Sequence, residues 1–277
     1  MKRYLKLVNF EFNRFAKLYA VLLAITIIVQ IAGVIVVSKN YLNTATKAIN
    51  EDMIPKAQFL METGPMSMID IISSVWFLGP IALCIAAVAF YIFFIWYRDW
   101  FGKNTFIYRL LMLPTARLNV FLAKITTVLL STFGFVALQL ILLPVESTIL
   151  KWMVPKEFRL DLSPEEIIGN MPELAIIMPQ SFTEFILYYG TGFMGVAILF
   201  TAILFERSYR LKGILFGAIY GAVAIIIFLS PILVEELLLI DYFYPLEIIA
   251  LETIMGLFVI AGSILTSQFL LNKRIRV

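Results

Sequence analysis

Six stretches of the chain, 18–37, 71–97, 120–145, 185–205, 214–234 and 246–271, run almost without charge. A bilayer's hydrocarbon core takes about 20 consecutive apolar residues of helix, and only helices or closed barrels satisfy their own backbone there. Six continuous apolar runs of this length dictate an all-α, polytopic membrane protein. Composition agrees, with 61% hydrophobic and 15% charged residues, where a soluble domain carries about 25% charged. Lys124 lies at the entry to the third stretch, where its stem is expected to snorkel to the interface. The first stretch is longer than the apolar core of a signal peptide, and Ser38–Tyr41 offers no small-residue cleavage site, so it is expected to be a retained span.

Basic residues set the expected orientation. Of 22 Lys and Arg, 16 fall in the N-terminal segment, the 98–124 and 206–213 loops and the tail; six fall in the opposite segments 38–70, 146–184 and 235–245. The positive-inside rule then places both termini in the cytoplasm, consistent with an even number of spans. Acidic Glu235, Glu236 and Asp241 cluster on the other side. Residues 1–17 place Leu5, Val8, Phe12 and Phe15 on one helical face and Lys2, Lys6 and Lys17 mainly on others. They read as an amphipathic helix in the interface, which either contacts anionic lipid or only sets topology.

Several chemistries are excluded. There is no histidine, so histidine metal sites and Ser-His-Asp or Cys-His catalysis are absent. The single cysteine, Cys84, cannot form a disulfide within the chain and reads as a packing residue. The "GKNT" at 102–105 is no phosphate loop: Tyr97 stands where its first glycine belongs, and Lys103 precedes Asn104 rather than Ser or Thr. No segment is long enough for a soluble catalytic or nucleotide-binding domain, and nothing points to nucleic acid.

The loop after the second stretch, "FGKNTFIYRLLMLPTARLN", is different. Asn104 or Thr105 can cap a helix that Pro114 stops at Leu113. Phe106, Ile107, Leu110 and Leu111 share one face and Arg109 points elsewhere. A two-turn helix is not stable alone in water, so something must bury that face. Either it lies on the membrane surface or it docks into a groove of a cytoplasmic protein.

The order "YRDWFGKNTFIYRLLMLPTARLNVFLAK" resembles the loop between the second and third spans of type-2 ABC exporter permeases. In that family an acidic residue and a glycine precede a short coupling helix. A Leu-Leu-x-Leu-Pro stretch, a small residue, an arginine and a lysine then lead into the third span. The matching positions are Asp99, Gly102, Thr105–Leu113, Pro114, Thr115, Arg117 and Lys124. The interfacial N-terminal helix and the six spans fit as well. The acidic segment "VEELLLIDYFYP", 234–245, resembles the family's outer re-entrant hairpin. Here the acidic start of the loop is reduced to Asp99, and the outer loops are larger than in the shortest members. The resemblance implies two copies of a cytoplasmic ABC ATPase, which bind ATP and Mg while this chain binds no cofactor. It also implies a second permease, identical or related, in a bacterial plasma membrane. Phe106, Ile107, Leu110 and Leu111 would fill the ATPase groove, with Asp99 and Arg109 as rim charges, and Leu110→Asp would uncouple transport without blocking insertion.

Charges and amides at depth are the other candidates. Glu252 lies inside the sixth stretch and either lines a translocation path or sits near the outer interface with Glu247. Gln30, Gln139 and Gln268 can tie helices together, and Gln139 and Gln268 are candidates for the path as well. Glu146 is expected at the interface, and Glu206 is expected in a local ion pair with Arg207 or Arg210. Gly190, Gly192 and Gly195 permit close helix approach. The expected cargo is a hydrophobic or amphipathic peptide or a drug-like molecule. The alternatives are an ATP-independent channel or scaffold, and a lipid-modifying membrane enzyme. The scattered carboxylates argue against the enzyme.

Overall fold

The computed structural model describes residues 2–101, 106–237 and 242–275, and among these it has no β-strand, only the isolated bridge Met66–Arg159. In chain order the helices are α1 (Lys2–Asn50), α2 (Lys56–Thr63), α3 (Met68–Ile72), α4 (Val75–Trp100), α5 (Phe106–Leu111), α6 (Leu118–Met153), α7 (Pro164–Gly169), α8 (Pro172–Ile177), α9 (Phe182–Tyr209), α10 (Leu211–Leu237) and α11 (Pro245–Phe269). A π-helical turn, Leu270–Arg274, extends the last. Six of them, α1, α4, α6, α9, α10 and α11, are long and apolar enough to cross a membrane, one for each expected stretch. Apolar side chains stay exposed on them: α10 alone exposes Ile214, Leu215, Ile219, Val223 and Ile226. A soluble protein rarely leaves so large an apolar surface open.

The helices outrun the apolar stretches. No break separates an interfacial segment 1–17 from the first span, because the first proline is Pro55 and one helix runs 49 residues. At 1.5 Å per residue that is about 73 Å, over twice the hydrocarbon thickness. The expected 206–213 loop contracts to Arg210 alone, which takes a left-handed φ of 57° between α9 and α10. The turn is tight enough that a Cβ at Gly213 would lie 2.1 Å from the Phe205 carbonyl oxygen. Of the expected re-entrant segment, 234–237 ends α10 and 238–241 lies outside the described residues.

The chain divides into two compact units. Unit 1 comprises Met1–Arg14, Ala89–Leu130 and Pro179–Val277. In it α9, α10 and α11 pack around Met194, Ile198, Ala224 and Val259. Thr201 Oγ1 meets Ser267 Oγ at 2.9 Å, and Tyr220 Oη meets Ser263 Oγ at 2.7 Å. These short polar contacts tie α9 and α10 to α11.

Unit 2 comprises Phe15–Val88 and Ser131–Met178. Val34, Met66, Ile71, Ile72, Phe77, Leu150, Ile167 and Leu174 make its core. Gly33 lets α1 and α4 touch, since a Cβ there would lie 2.4 Å from that of Trp76. Higher on α1, Tyr41 donates to the Gly64 carbonyl at 2.8 Å, which extends ordered helix beyond the apolar stretch. Gln30 and Gln139 bond reciprocally at 3.2 and 3.3 Å, and Gln30 also donates to the Phe77 carbonyl. Glu146, expected at the membrane interface, belongs to the interior of unit 2. It is fully buried, and neither carboxyl oxygen has a hydrogen-bond partner among the described residues.

Candidate functional site

In unit 1 the start of α1, the end of α4 and the start of α6 meet through five charged side chains. Lys124 Nζ donates to Glu11 Oε1 at 2.7 Å, to Asp99 Oδ2 at 2.5 Å and to the Ile95 carbonyl at 2.9 Å. An ammonium has three donors, and all three are used. The remaining oxygens are also taken, Glu11 Oε2 by Arg98 at 2.9 Å and Asp99 Oδ1 by Arg14 at 2.8 Å. Lys124 also lies 5.2 Å from the Trp96 ring centroid. Three cations against two carboxylates leave the cluster one positive charge in excess.

Burial makes these contacts consequential. Lys124 and Asp99 are completely excluded from solvent and Glu11 nearly so. Lys124 therefore does not snorkel, and Asp99 is no rim charge. Both are interior members of one network, drawn inward because each finds opposite charges on another helix. Such a network contributes little net stability over an apolar core, but breaking it is expensive. Glu11 is the member that sequence reasoning overlooked. Its signal was present: Glu11 lies on the apolar stripe of α1, between Val8 and Phe15. A carboxylate on a buried stripe needs a cation from elsewhere.

Arg14 carries the network to α5. Its guanidinium lies 5.2 Å from the ring centroids of both Phe10 and Phe106, which stack on each other at 5.8 Å. Tyr108 meets Trp100 edge-on at 6.1 Å, and Arg3 donates to the Pro114 carbonyl. The apolar face of α5 is thus buried within the chain: Ile107, Leu110 and Leu111 are inaccessible and Phe106 is half-buried. Ile107, Leu110 and Leu111 are thus packed inside the chain, and Leu110→Asp would disrupt that packing. Left open are Arg109 on the helix and Met112, Leu113 and Pro114 just past its end, with Met112 at 66% and Leu113 at 42% exposure. Gly102 and the expected cap at Asn104 or Thr105 lie outside the described residues. The helix ends at Leu111, two residues before its expected stop.

Arg117 completes this end of unit 1. It donates to the carbonyls of Leu271 at 2.6 Å and Ile275 at 3.1 Å, supplying partners that the C-terminal helix end lacks. Nearby, Arg207 pairs with Glu206 at 3.5 Å, as expected, and its guanidinium lies within 5.7 Å of the ring centroids of Tyr97, Trp100 and Phe101.

Of the expected path residues, Glu252 and Gln268 stand apart on one helix of unit 1, and Gln139 belongs to unit 2. Gln139 is buried in unit 2 and committed to Gln30. Gln268 is exposed on α11, about 24 Å along the helix axis from Glu252. Glu252 itself is half-buried and lines a crevice between α9, α10 and α11. Among the described residues no group of His, Cys, Asp and Glu could hold a metal ion. Comparison with protein-family models, with curated proteins and with solved structures finds no match.

Proposed function

We propose that the chain is the membrane-spanning subunit of an ATP-driven exporter of the type-2 ABC class. It forms half of a translocation path beside a second permease, with two cytoplasmic ATPase subunits docked on α5. The observation that carries this reading is the clasp on α5. A helix too short to hold itself is fixed through Phe106 and Arg14 to a buried ion network that joins the ends of α1, α4 and α6. A push on the open face of α5 would move three spanning helices together, which is what coupling to an external motor needs. In this arrangement Arg109, Met112 and Leu113 meet the ATPase, and Asp99 positions the helix from behind. ATP and Mg belong to the partner.

The test is a mild-detergent pull-down of the tagged protein from its native membrane, comparing wild type with Met112→Asp/Leu113→Asp. Both positions are exposed, so folding should be unchanged by thermal melt. An ATPase recovered with wild type and lost with the variant supports the reading. Recovery of no ATPase with either protein overturns it and favours a channel or scaffold.

A further inference from the structure

The crevice between α9, α10 and α11 lies wholly within unit 1 and measures about 360 Å³ including its open mouth. Its walls are apolar, with Met194 and Phe228 among them, and missing side chains make room: Gly190 and Gly256 both line it. Gly190 was expected to bring helices into close contact. Instead a Cβ there would meet only Ile186 of its own helix, at 3.9 Å, so the glycine opens space. The two threonines of the lining have committed their protons, Thr191 to the Leu187 carbonyl and Thr253 to the Ile249 carbonyl, and carry no charge. Glu252 makes no hydrogen bond or ion pair with any described residue. Glu252 is therefore the one charged residue lining the crevice, at the edge of otherwise apolar walls.

A single acid in an apolar cleft selects for charge of the opposite sign on a hydrophobic body. A neutral apolar molecule would leave the carboxylate uncompensated, and an anion would be repelled. We infer that this crevice binds a lipophilic ammonium compound, with its cationic nitrogen at Glu252 and its apolar part between α9 and α11. Most of that volume is the open mouth, and the enclosed part is well below a drug-sized pocket, so it takes no more than one ring or a short alkyl chain. As a statement about cargo, the inference rests on the exporter reading; as a binding site, it stands on the lone chain.

The experiment uses purified full-length protein in dodecyl maltoside, which carries neither charge nor amine. Tritiated 2-phenylethylamine, protonated at neutral pH, is measured by equilibrium dialysis and corrected for protein-free micelles. Expected are displaceable binding to wild type and binding about tenfold weaker or more to Glu252→Gln, the scale of a desolvated charge pair. The neutral isostere 2-phenylethanol should compete at least about tenfold less well for the same reason. Gly190→Leu, which fills the crevice and leaves the acid in place, should also lose binding, with melting of both variants confirming that they fold. Absent binding to wild type, equal binding to Glu252→Gln, or equal competition by the alcohol overturns the site. Displacement by phosphatidylethanolamine also overturns the proposal, because the occupant would then be a lipid headgroup. Amine binding with no ATPase recovered keeps the site and removes the exporter. An ATPase recovered without amine binding keeps the exporter and removes this class of cargo.

Discussion

Lys124 in unit 1 and Glu146 in unit 2 are both fully excluded from solvent, yet among the described residues the first has three hydrogen-bond partners and the second has none. The same burial thus has opposite energetic meaning. Around Lys124 every charge is answered by a charge from another part of the chain, so the cluster fixes which helix ends meet and in what register. Glu146 sits on a helix whose neighbouring turns present Leu143 and Leu150 to an apolar core, and nothing there answers a carboxyl group. One region uses buried charge to specify an assembly, and the other tolerates a polar group at a cost.

The most direct way to break this comparison is to remove the hub of the first region. Lys124→Met strands carboxylate oxygens of Glu11 and Asp99, and losing one partner of a buried ion network costs about 3–5 kcal/mol. The expected outcome is a large drop in thermal stability in detergent, together with loosening of α5. Glu11 keeps Arg98 and Asp99 keeps Arg14, so Glu11→Gln added to Lys124→Met unpairs Arg98 in turn, and the double variant should melt below the single one. Equal melting of wild type and Lys124→Met would show that the network specifies nothing.

The second region predicts a smaller effect of the opposite sign. Glu146→Leu exchanges an unsatisfied buried group for a packed apolar one, and removing such a group gains about 1–3 kcal/mol. Melting should therefore rise. A fall would mean that Glu146 meets a polar group from outside this chain, such as a second permease, and the contrast between the two regions would then be one of missing partner and not of design.

This contrast also explains what could be read from the sequence. The six spans were legible because each rests on local composition alone. Helix ends were not: α1 continues through Ser38–Asn50 because Tyr41 and the core around Phe59 hold it, and these contacts come from later in the chain. The α5 stripe announced that it is buried, but not by what, since Phe10 is 96 residues away from Phe106. Lys124 and Asp99 looked like surface charges for the same reason. Lys124 finds Glu11 across 113 residues, and a charge in a helix end reads as solvated until its partner is known. Glu252 was legible as a charge needing protein or water, but the cleft around it depends on three helices packing past small residues.

A third carboxylate separates partners from burial and gives the smallest effect. Glu166, fully exposed at the start of α7, accepts from the Ser163 backbone N–H at 2.8 Å, while Ser163 Oγ accepts from the Glu166 N–H at 3.2 Å. The bond from the Ser163 backbone, and then that with its side chain, holds the Glu166 carboxyl below its ordinary value. With the folded-state value depressed, the capping contribution is complete above the ordinary carboxyl range and disappears as pH falls through the folded value. Hydrogen exchange at the Glu166 and Ile167 amides should accordingly show relative protection that is complete above the ordinary carboxyl range and lost as pH falls below it, after correction for intrinsic exchange. Glu166→Gln should flatten that profile and leave overall melting nearly unchanged, because solvent competes for every bond of an exposed cap. If the profile is already flat in wild type, partners alone do not set the behaviour of a carboxylate here, and the weight in the comparison of Lys124 with Glu146 moves to burial.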